Sequence, residues 1–416
     1  GFLSERPEFV EACAEAGIVF VGPSAAAMRA LGDKSRAKTL AVRAGVPVVP
    51  GLFEEGATRE DLREAAAQIG FPALLKARAG GGGRGMRIVR DASEFDAAFD
   101  TATDEALKAF GDGAMMIERL IERPRHIEVQ LLADSHGTVA ALFERECSVQ
   151  RRHQKLIEEA PSPWFAQHPE RWPALRDAAV SLAREAEYVG AGTCEFILDP
   201  ASGDFFFLEV NARLQVEHPV TEAVTGLDLV SWQLRIAGGE RLDLSQALLE
   251  GDRSALNGWA VEARIVAEDP AQGFLPSAGR LSVWAEPRHP GVRIDSGFRA
   301  GDEVSRFYDS LLAKAIASGE NRDEALNRLR AALLDFPVLG VPTNAAFLID
   351  ALDHPDYQSG AVDTGWVDRT LSDWSPPVAP AFLADVLPFA TAQQAAGTEV
   401  SLPGAWDARD GFRNAR

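Results

Sequence analysis

The chain has 416 residues, enough for two or three domains and a large core. Hydrophobic residues make up 46% and charged residues 25%, an ordinary globular composition. A formal charge of −20 argues against a general nucleic-acid binder, which needs a basic face, and any anionic ligand must be met by locally concentrated positive charge.

Cys13, Cys147 and Cys194 are far apart and form no Cys-x-x-Cys pair, which argues against a disulfide framework or zinc site and for a reducing compartment. No apolar run approaches the ~18 residues of a membrane span, and no signal peptide is present. The sequence opens on Gly1, so the expectation is that the natural N-terminus, with any targeting signal, lies upstream. Lysine occurs six times (34, 38, 76, 108, 155, 314) against thirty-six arginines. Each lysine is therefore worth placing, because its compact point charge is not equivalent to a guanidinium.

Residues 6–16 read as a helix and Ile18 to Val21 as a short buried strand, followed by Gly22-Pro23 and an alanine-rich helix. A parallel sheet needs more partners than this, so the expectation is an N-terminal α/β domain cut through. Lys34 and Lys38 lie on or beside a helix ending at Gly45, where spacing alone reads as a solvated face. Residues 59–69 form an amphipathic helix. Then Leu74 to Ala79, a glycine run at Gly80, Gly81, Gly82, Gly83 and Gly85, and Met86 to Val89 give a strand, a loop and a strand. This is neither a Walker A loop nor a dinucleotide fingerprint, since no Gly-Lys-Ser/Thr and no helix follows. A glycine flap closing over phosphates fits it, because glycine lets backbone N–H groups approach closely.

Ala114 to Glu118 reads as an apolar strand ending in a carboxylate. Two readings stand there: a plain core strand, or the edge of an adenine pocket, with Glu118 accepting from the exocyclic amine. His126 to Leu132 and Val139 to Phe143 form a hairpin around 134–137. The segment Cys147 to Lys155 (CSVQRRHQK) is densely cationic, and spacing leaves a surface loop and an anion seat equally open. A helix over 170–188 leads to a second hairpin, Thr193 to Leu198, a turn at 199–204, and Phe205 onward.

That hairpin carries the chemistry. It brings Glu195 within about one register step of Glu209, and like charges facing on a sheet need something positive between them. Magnesium takes one or two carboxylates and completes its shell with water and phosphate oxygens. In the return strand Glu209, Asn211, Arg213, Gln215 and Glu217 alternate with Val210, Ala212, Leu214 and Val216, so an extended chain presents them on one face. Helices are expected at about 221–237 and 243–250, a strand over 258–266 carrying Glu262 and Arg264, strands at 280–285 and 292–295, and helices at 321–334 and 343–352. Residues 375–416 read as linker and the start of a further module.

Five motifs, LLKARAGGGGRGM, MIERLIERPRHIEVQ, CSVQRRHQKLIEEAPS, FFFLEVNARLQVEHPVTE and VEARIVAEDP with FLPSAGRL, closely resemble the biotin carboxylases, which are ATP-grasp enzymes. The resemblance runs from Gly1 to about Trp374. It implies a mixed α/β and α+β architecture: an ATP-grasp domain at 32–257, a remnant of a Rossmann-like N-terminal domain at 1–31, and a biotin carboxylase C-terminal domain at 258–374. Lys34, Lys76, the glycines 80–83 (Gly80, Gly81, Gly82, Gly83), Glu118, Ile121, His126 and Gln150 would face ATP. Glu195, Glu209 and Asn211 would hold Mg²⁺ or Mn²⁺. Arg213, Gln215 and Val216 would hold bicarbonate, with Lys155 and Arg213 assisting, Glu217 as general base, and Arg264 steadying the biotin enolate. Carboxyphosphate would form from ATP and bicarbonate and pass its carboxyl group to biotin N1′.

None of the four methionines precedes a lysine, so the resemblance implies that biotin arrives on a carrier domain elsewhere, with a carboxyltransferase subunit as further partner. It also implies a homodimer or larger assembly in the cytoplasm, with mitochondrial targeting left open. Trp406 to Phe412 (WDARDGF) is similar to the stretch following this part in methylcrotonyl-type α-subunits. Two rivals stand beside this reading: another ATP-grasp carboxylate ligase, and a non-catalytic assembly module of a larger carboxylase.

Overall fold

The structure, a computed structural model, describes residues 2–78 and 85–377. The glycines 80–83, the residues after 377 and the WDARDGF stretch lie outside the described residues.

Four strands, β1 (Gly51–Leu52), β2 (Ala73–Ala77), β3 (Met86–Val89) and β4 (Met115–Arg119), make a small antiparallel sheet in the order β1-β4-β2-β3. Helices α1 (Pro7–Glu15), α2 (Ala25–Gly32) and α3 (Lys34–Arg43) precede it, and α4 (Arg59–Ile69) and α5 (Phe95–Phe110) cover it. Thr58 and Asp61 start α4 with a capping box, each satisfying an amide the other leaves open. Leu62, Ala66, Phe95, Ala102 and Ala106 then bury against Leu75 and Ile117.

The large sheet comprises β5 (Arg125–Ala133), β6 (Val139–Arg151), β7 (Gln154–Ala160), β8 (Gly190–Leu198), β9 (Phe205–Asn211), β10 (Trp259–Val266), β11 (Val292–Ser296) and β12 (Leu311–Gly319). Its order is β11-β12-β10-β7-β6-β5-β8-β9, and every pairing is antiparallel. Helices α6 (Pro163–Gln167), α7 (Trp172–Glu185), α8 (His218–Thr225), α9 (Leu229–Ala237), α10 (Gln246–Glu250), α11 (Arg322–Leu334) and α12 (Ala345–Asp353) pack around it. Every residue of β5 is buried, so the sheet's centre is covered on both faces and its charges must find partners inside. Val261, Ala263 and Ile265 of β10 face α11 and α12, while Ala260 packs with Val220 and Val224 of α8 on the opposite face. Glu262 and Arg264 share that second face by alternation. The ladder from β7 to β10 runs across position 257/258, so the sheet is continuous between the two segments.

The chain departs from expectation in four places. Ile18 to Val21 is not a strand, because no strand lies beside it among the described residues; Ile18 and Val19 are 61% and 68% exposed. The helix expected over 221–237 is two helices: Gly226 takes φ +72°, ending α8, and the Asp228 carboxylate caps Ser231 N to start α9. The strand carrying the alternation stops at Asn211, and residues 212–217 turn away toward α8. Finally, β12 was not anticipated at all, yet it is the neighbour that orders β10.

Candidate active site

Glu195 and Glu209 are direct partners across the β8–β9 ladder, as the hairpin reading requires. Glu195 Oε1 accepts from Asn211 Nδ2 at 2.8 Å, and Oε2 lies 3.1 Å from His126 Nε2. Lys155, just past the β6–β7 turn, reaches the same place from the adjacent strands. Its Nζ lies 2.6 Å from Glu128, 3.1 Å from Glu195 and 2.6 Å from Glu217. One ammonium thus joins three buried carboxylates, and Arg264 Nη2 closes the other side of Glu217 at 2.9 Å.

Burial by itself would push Glu217 and Glu195 toward the neutral acid. For Glu217, Lys155, Arg264 and Arg145 outweigh it and hold the carboxyl well below its ordinary range. For Glu195, Lys155 and His126 do the same. Lys155 is held well above the usual lysine range, since Glu128, Glu195 and Glu217 together overcome its desolvation. His126 is also raised: burial opposes its charge, but Glu195 prevails. Glu209 goes the other way, pushed up by burial and then by the charge of Glu195.

The residues expected to hold bicarbonate gather although they are not on one strand. Arg213 Nη1 donates to Gln215 Oε1 at 3.0 Å, its Nη2 to Asn211 Oδ1 at 3.3 Å, and its Nε to Glu5 at 2.9 Å. Gln215 Nε2 reaches Glu195 at 3.4 Å, and the Val216 carbonyl accepts from Lys314 Nζ at 2.8 Å. The turn after Asn211, rather than a continuing strand, brings Glu217 back beneath Glu195.

Of the residues expected to face ATP, Lys34 Nζ stands 4.0 Å from Glu209, and Lys76 Nζ is 2.6 Å from Glu118. Burial, followed by the charge of Lys34, brings Lys76 down to about 8. Glu118 also pairs with Lys38, so its carboxylate anchors two lysines. That corrects the solvated-face reading of Lys38, which is 3% exposed. Ile121, three residues past Glu118, and Gln150 are both buried, and Gln150 is the register partner of Lys155. Of the cationic segment, Lys155 turns inward, while Arg151 stacks on Phe274 at 4.3 Å. Replacing Glu118 with Gln should cost about 3 kcal/mol, because it strands buried ammonium charge; an unchanged denaturant midpoint would contradict this anchoring.

Sequence reasoning passed over Glu128 and Arg145. Glu128 lies two residues after His126, on the same face of β5, opposite both Glu195 and Arg145. That alternation was the available signal. Arg145 is fully buried and ties Glu128 to Gln130, Thr193 and Thr221.

A small and a large antiparallel sheet, sharing a cluster of lysines and carboxylates between them, constitute the ATP-grasp fold. Residues 33–245 match the carbamoyl-phosphate synthase L chain ATP binding domain, 262–369 the biotin carboxylase C-terminal domain, and 1–28 the biotin carboxylase N-terminal domain. The chain belongs to the biotin carboxylase family. It is 49% identical over 369 residues to a biotin carboxylase of Nostoc sp., covering 89% of this chain and 81% of that one. It is 48% identical over 377 residues to the mouse mitochondrial methylcrotonoyl-CoA carboxylase subunit alpha, covering 90% of this chain and 52% of the relative, so it spans about half of that protein's length. Among solved structures, the biotin carboxylase domain dimer of Hydrogenobacter thermophilus 2-oxoglutarate carboxylase, in complex with MgADP, ADP and bicarbonate, superposes with a TM-score of 0.85. Identity is 42%, covering 91% of this chain and 82% of that one.

Proposed function

We propose that the chain carboxylates biotin at the expense of ATP and bicarbonate, through carboxyphosphate, as the first half-reaction of an acyl-CoA carboxylase. One observation carries this reading: Lys155 binds Glu217 on one side while Arg264 binds it on the other, leaving a charged base between a phosphate-side and a biotin-side cation. Another ATP-grasp ligase would need the lysines and paired carboxylates but not that arginine.

The donor set of Glu195, Glu209 and Asn211 suits a hard divalent cation, and the raised Glu209 shows the charge such a cation would relieve. When bound, Mg²⁺ or Mn²⁺ supplies charge neutralisation at the phosphate oxygens. Lys34 and Lys76 flank the same space and would hold transferring phosphate charge. Arg213 and Gln215 would orient bicarbonate so that its O–H faces Glu217, which takes the proton as a bicarbonate oxygen attacks the γ-phosphorus and ADP leaves. At rest Glu217 is a weak base, because two cations hold its charge. Drawing Arg264 toward biotin strengthens it at the moment it is needed.

Biotin would be delivered on a carrier domain, and the product consumed by a carboxyltransferase. A homodimer follows the Hydrogenobacter relative, and the division of the chain at 31/32, 257/258 and 374/375 follows the motifs. The cysteines Cys13, Cys147 and Cys194 are free thiols, which supports a reducing compartment such as a bacterial cytoplasm. No helix among the described residues is long and apolar enough to cross a membrane.

The test is ADP release from MgATP with and without bicarbonate and free biotin. Cleavage that requires bicarbonate and rises with biotin supports the reading, and bicarbonate-independent cleavage overturns it. Glu209→Gln should weaken the Mg²⁺ dependence of ATP binding roughly tenfold, since one of two carboxylate ligands is gone. Calorimetry with and without metal reads this directly, and an unchanged metal dependence would remove Glu209 from the site.

A further inference from the structure

Behind Arg264 lies a second pair of acids that the reaction above does not use. Glu158 of β7 and Glu262 of β10 are direct partners on adjacent antiparallel strands, and both are completely buried. Facing residues on such a ladder place their side chains on one side of the sheet within contact reach. Arg264 donates its Nε to Glu158 Oε1, while its Nη2 goes to Glu217. Glu158 Oε2 and both carboxyl oxygens of Glu262 find no hydrogen-bond donor. A fully buried carboxylate in that condition takes up a proton rather than keep an unsolvated charge, and two facing carboxylates do not both ionise.

We infer that Glu262 is a positioning residue, a neutral acid sharing one proton with Glu158, so that the pair carries a single charge and grips Arg264 from behind. Its role rests on the biotin carboxylase reading of Arg264. The surroundings agree. The face is closed by Ala160, Val220, Val224, Ala260 and Ile316, none of which can donate to a carboxylate through its side chain. The charges acting on the pair are Lys155 on β7, Arg264 on β10, Lys314 on β12 and Glu217 ahead of α8, while Arg145 on β6 bonds Glu128, His218 on α8 bonds the Gln215 carbonyl and Glu222 on α8 pairs with Arg293. Lys314 favours ionisation of Glu262, but its ammonium is engaged by the Val216 carbonyl and by Asp295 at 3.3 Å. Burial, aided by the charge of Glu217 and opposed by Arg264, pushes Glu158 up to about 7, and burial followed by the charge of Glu158 holds Glu262 well above the usual carboxylate range.

The direction of the pH effect follows. Near neutrality the pair holds one proton, and Arg264 is shared between Glu158 and Glu217. As pH rises and the last proton leaves, two charges stand behind the guanidinium and draw it away from Glu217 and from biotin. Carboxybiotin formation should therefore decline on the alkaline side, and Glu262→Gln, which cannot acquire the second charge, should move that decline upward by at least one pH unit. The Gln side chain matches the neutral acid in shape, so the variant should fold.

Difference infrared spectroscopy of the whole chain against Glu262→Gln gives a readout independent of turnover. A protonated-carboxyl carbonyl band should be present near neutral pH in the natural protein and missing from the variant. Absence of that band in the natural protein overturns the shared proton. A band that is present, with an alkaline limb unmoved by Glu262→Gln, overturns the positioning role. Lack of any bicarbonate-dependent ATP cleavage in the natural protein would defeat the enzymatic reading and with it the role of Glu262 toward Arg264, while the band would still decide the state of the pair.

Discussion

Glu217→Gln is expected to lower bicarbonate-dependent ATP cleavage by about 10²–10⁴-fold, the range over which a positioned general base contributes. The amide keeps the shape of the side chain and can still accept from Lys155, so the site should persist. Lys155 retains Glu128 and Glu195 as partners, which limits the loss of stability. What disappears is the only charge among the described residues in contact with both Lys155 and Arg264, and with it the acceptor for the bicarbonate proton. Because carboxyphosphate supplies the second step, carboxybiotin formation should fall in the same proportion. ADP release and carboxybiotin measured side by side decide the matter. A loss smaller than about tenfold would remove Glu217 from the role of base.

Local pattern carried the sequence reading a long way at the hairpin. A short turn puts the two acids within about one register step, and a bulge between Glu195 and Phe196 sets Glu195 directly opposite Glu209. The strand pair around the glycine run was legible for the same reason, with Lys76 opposite Met86 in the observed register. What the sequence hid were meetings across distant strands. Glu128 lies in a motif that reads as core, and its use emerges only when β5 is set between β6 and β8, bringing Arg145 and Glu195 to it. Lys38 looks solvated on its own helix and is buried because Glu118 arrives from a strand eighty residues away. The alternation from Glu209 to Glu217 picked out residues that do meet, but through the wrong geometry. A turn after Asn211 gathers them more tightly than a straight strand could, since alternate residues on a strand lie about 7 Å apart.

Arg264→Ser should uncouple the two half-steps. Arg264 reads from sequence as lying on a separate strand, and the family resemblance has it serve biotin, so ATP cleavage ought to survive its loss. The structure tempers that division, because Arg264 also touches the base. Without the guanidinium, Glu217 keeps Lys155 but loses one of the cations that outweigh its burial, and its pKa moves upward. That makes it a stronger base while it remains ionised, so ATP cleavage should fall by no more than about tenfold. Carboxybiotin formation loses its positioned cation outright, an interaction worth about 10²–10³-fold where charge develops in a water-poor site. Glu158 is left without its hydrogen-bond partner and faces Glu262 unopposed, so the variant should also bind one more proton near neutral pH. The ratio of ADP released to carboxybiotin formed is the deciding quantity, expected to rise at least tenfold over the natural protein. If both products fall in equal proportion, Arg264 acts through Glu217 alone and biotin is steadied by another group.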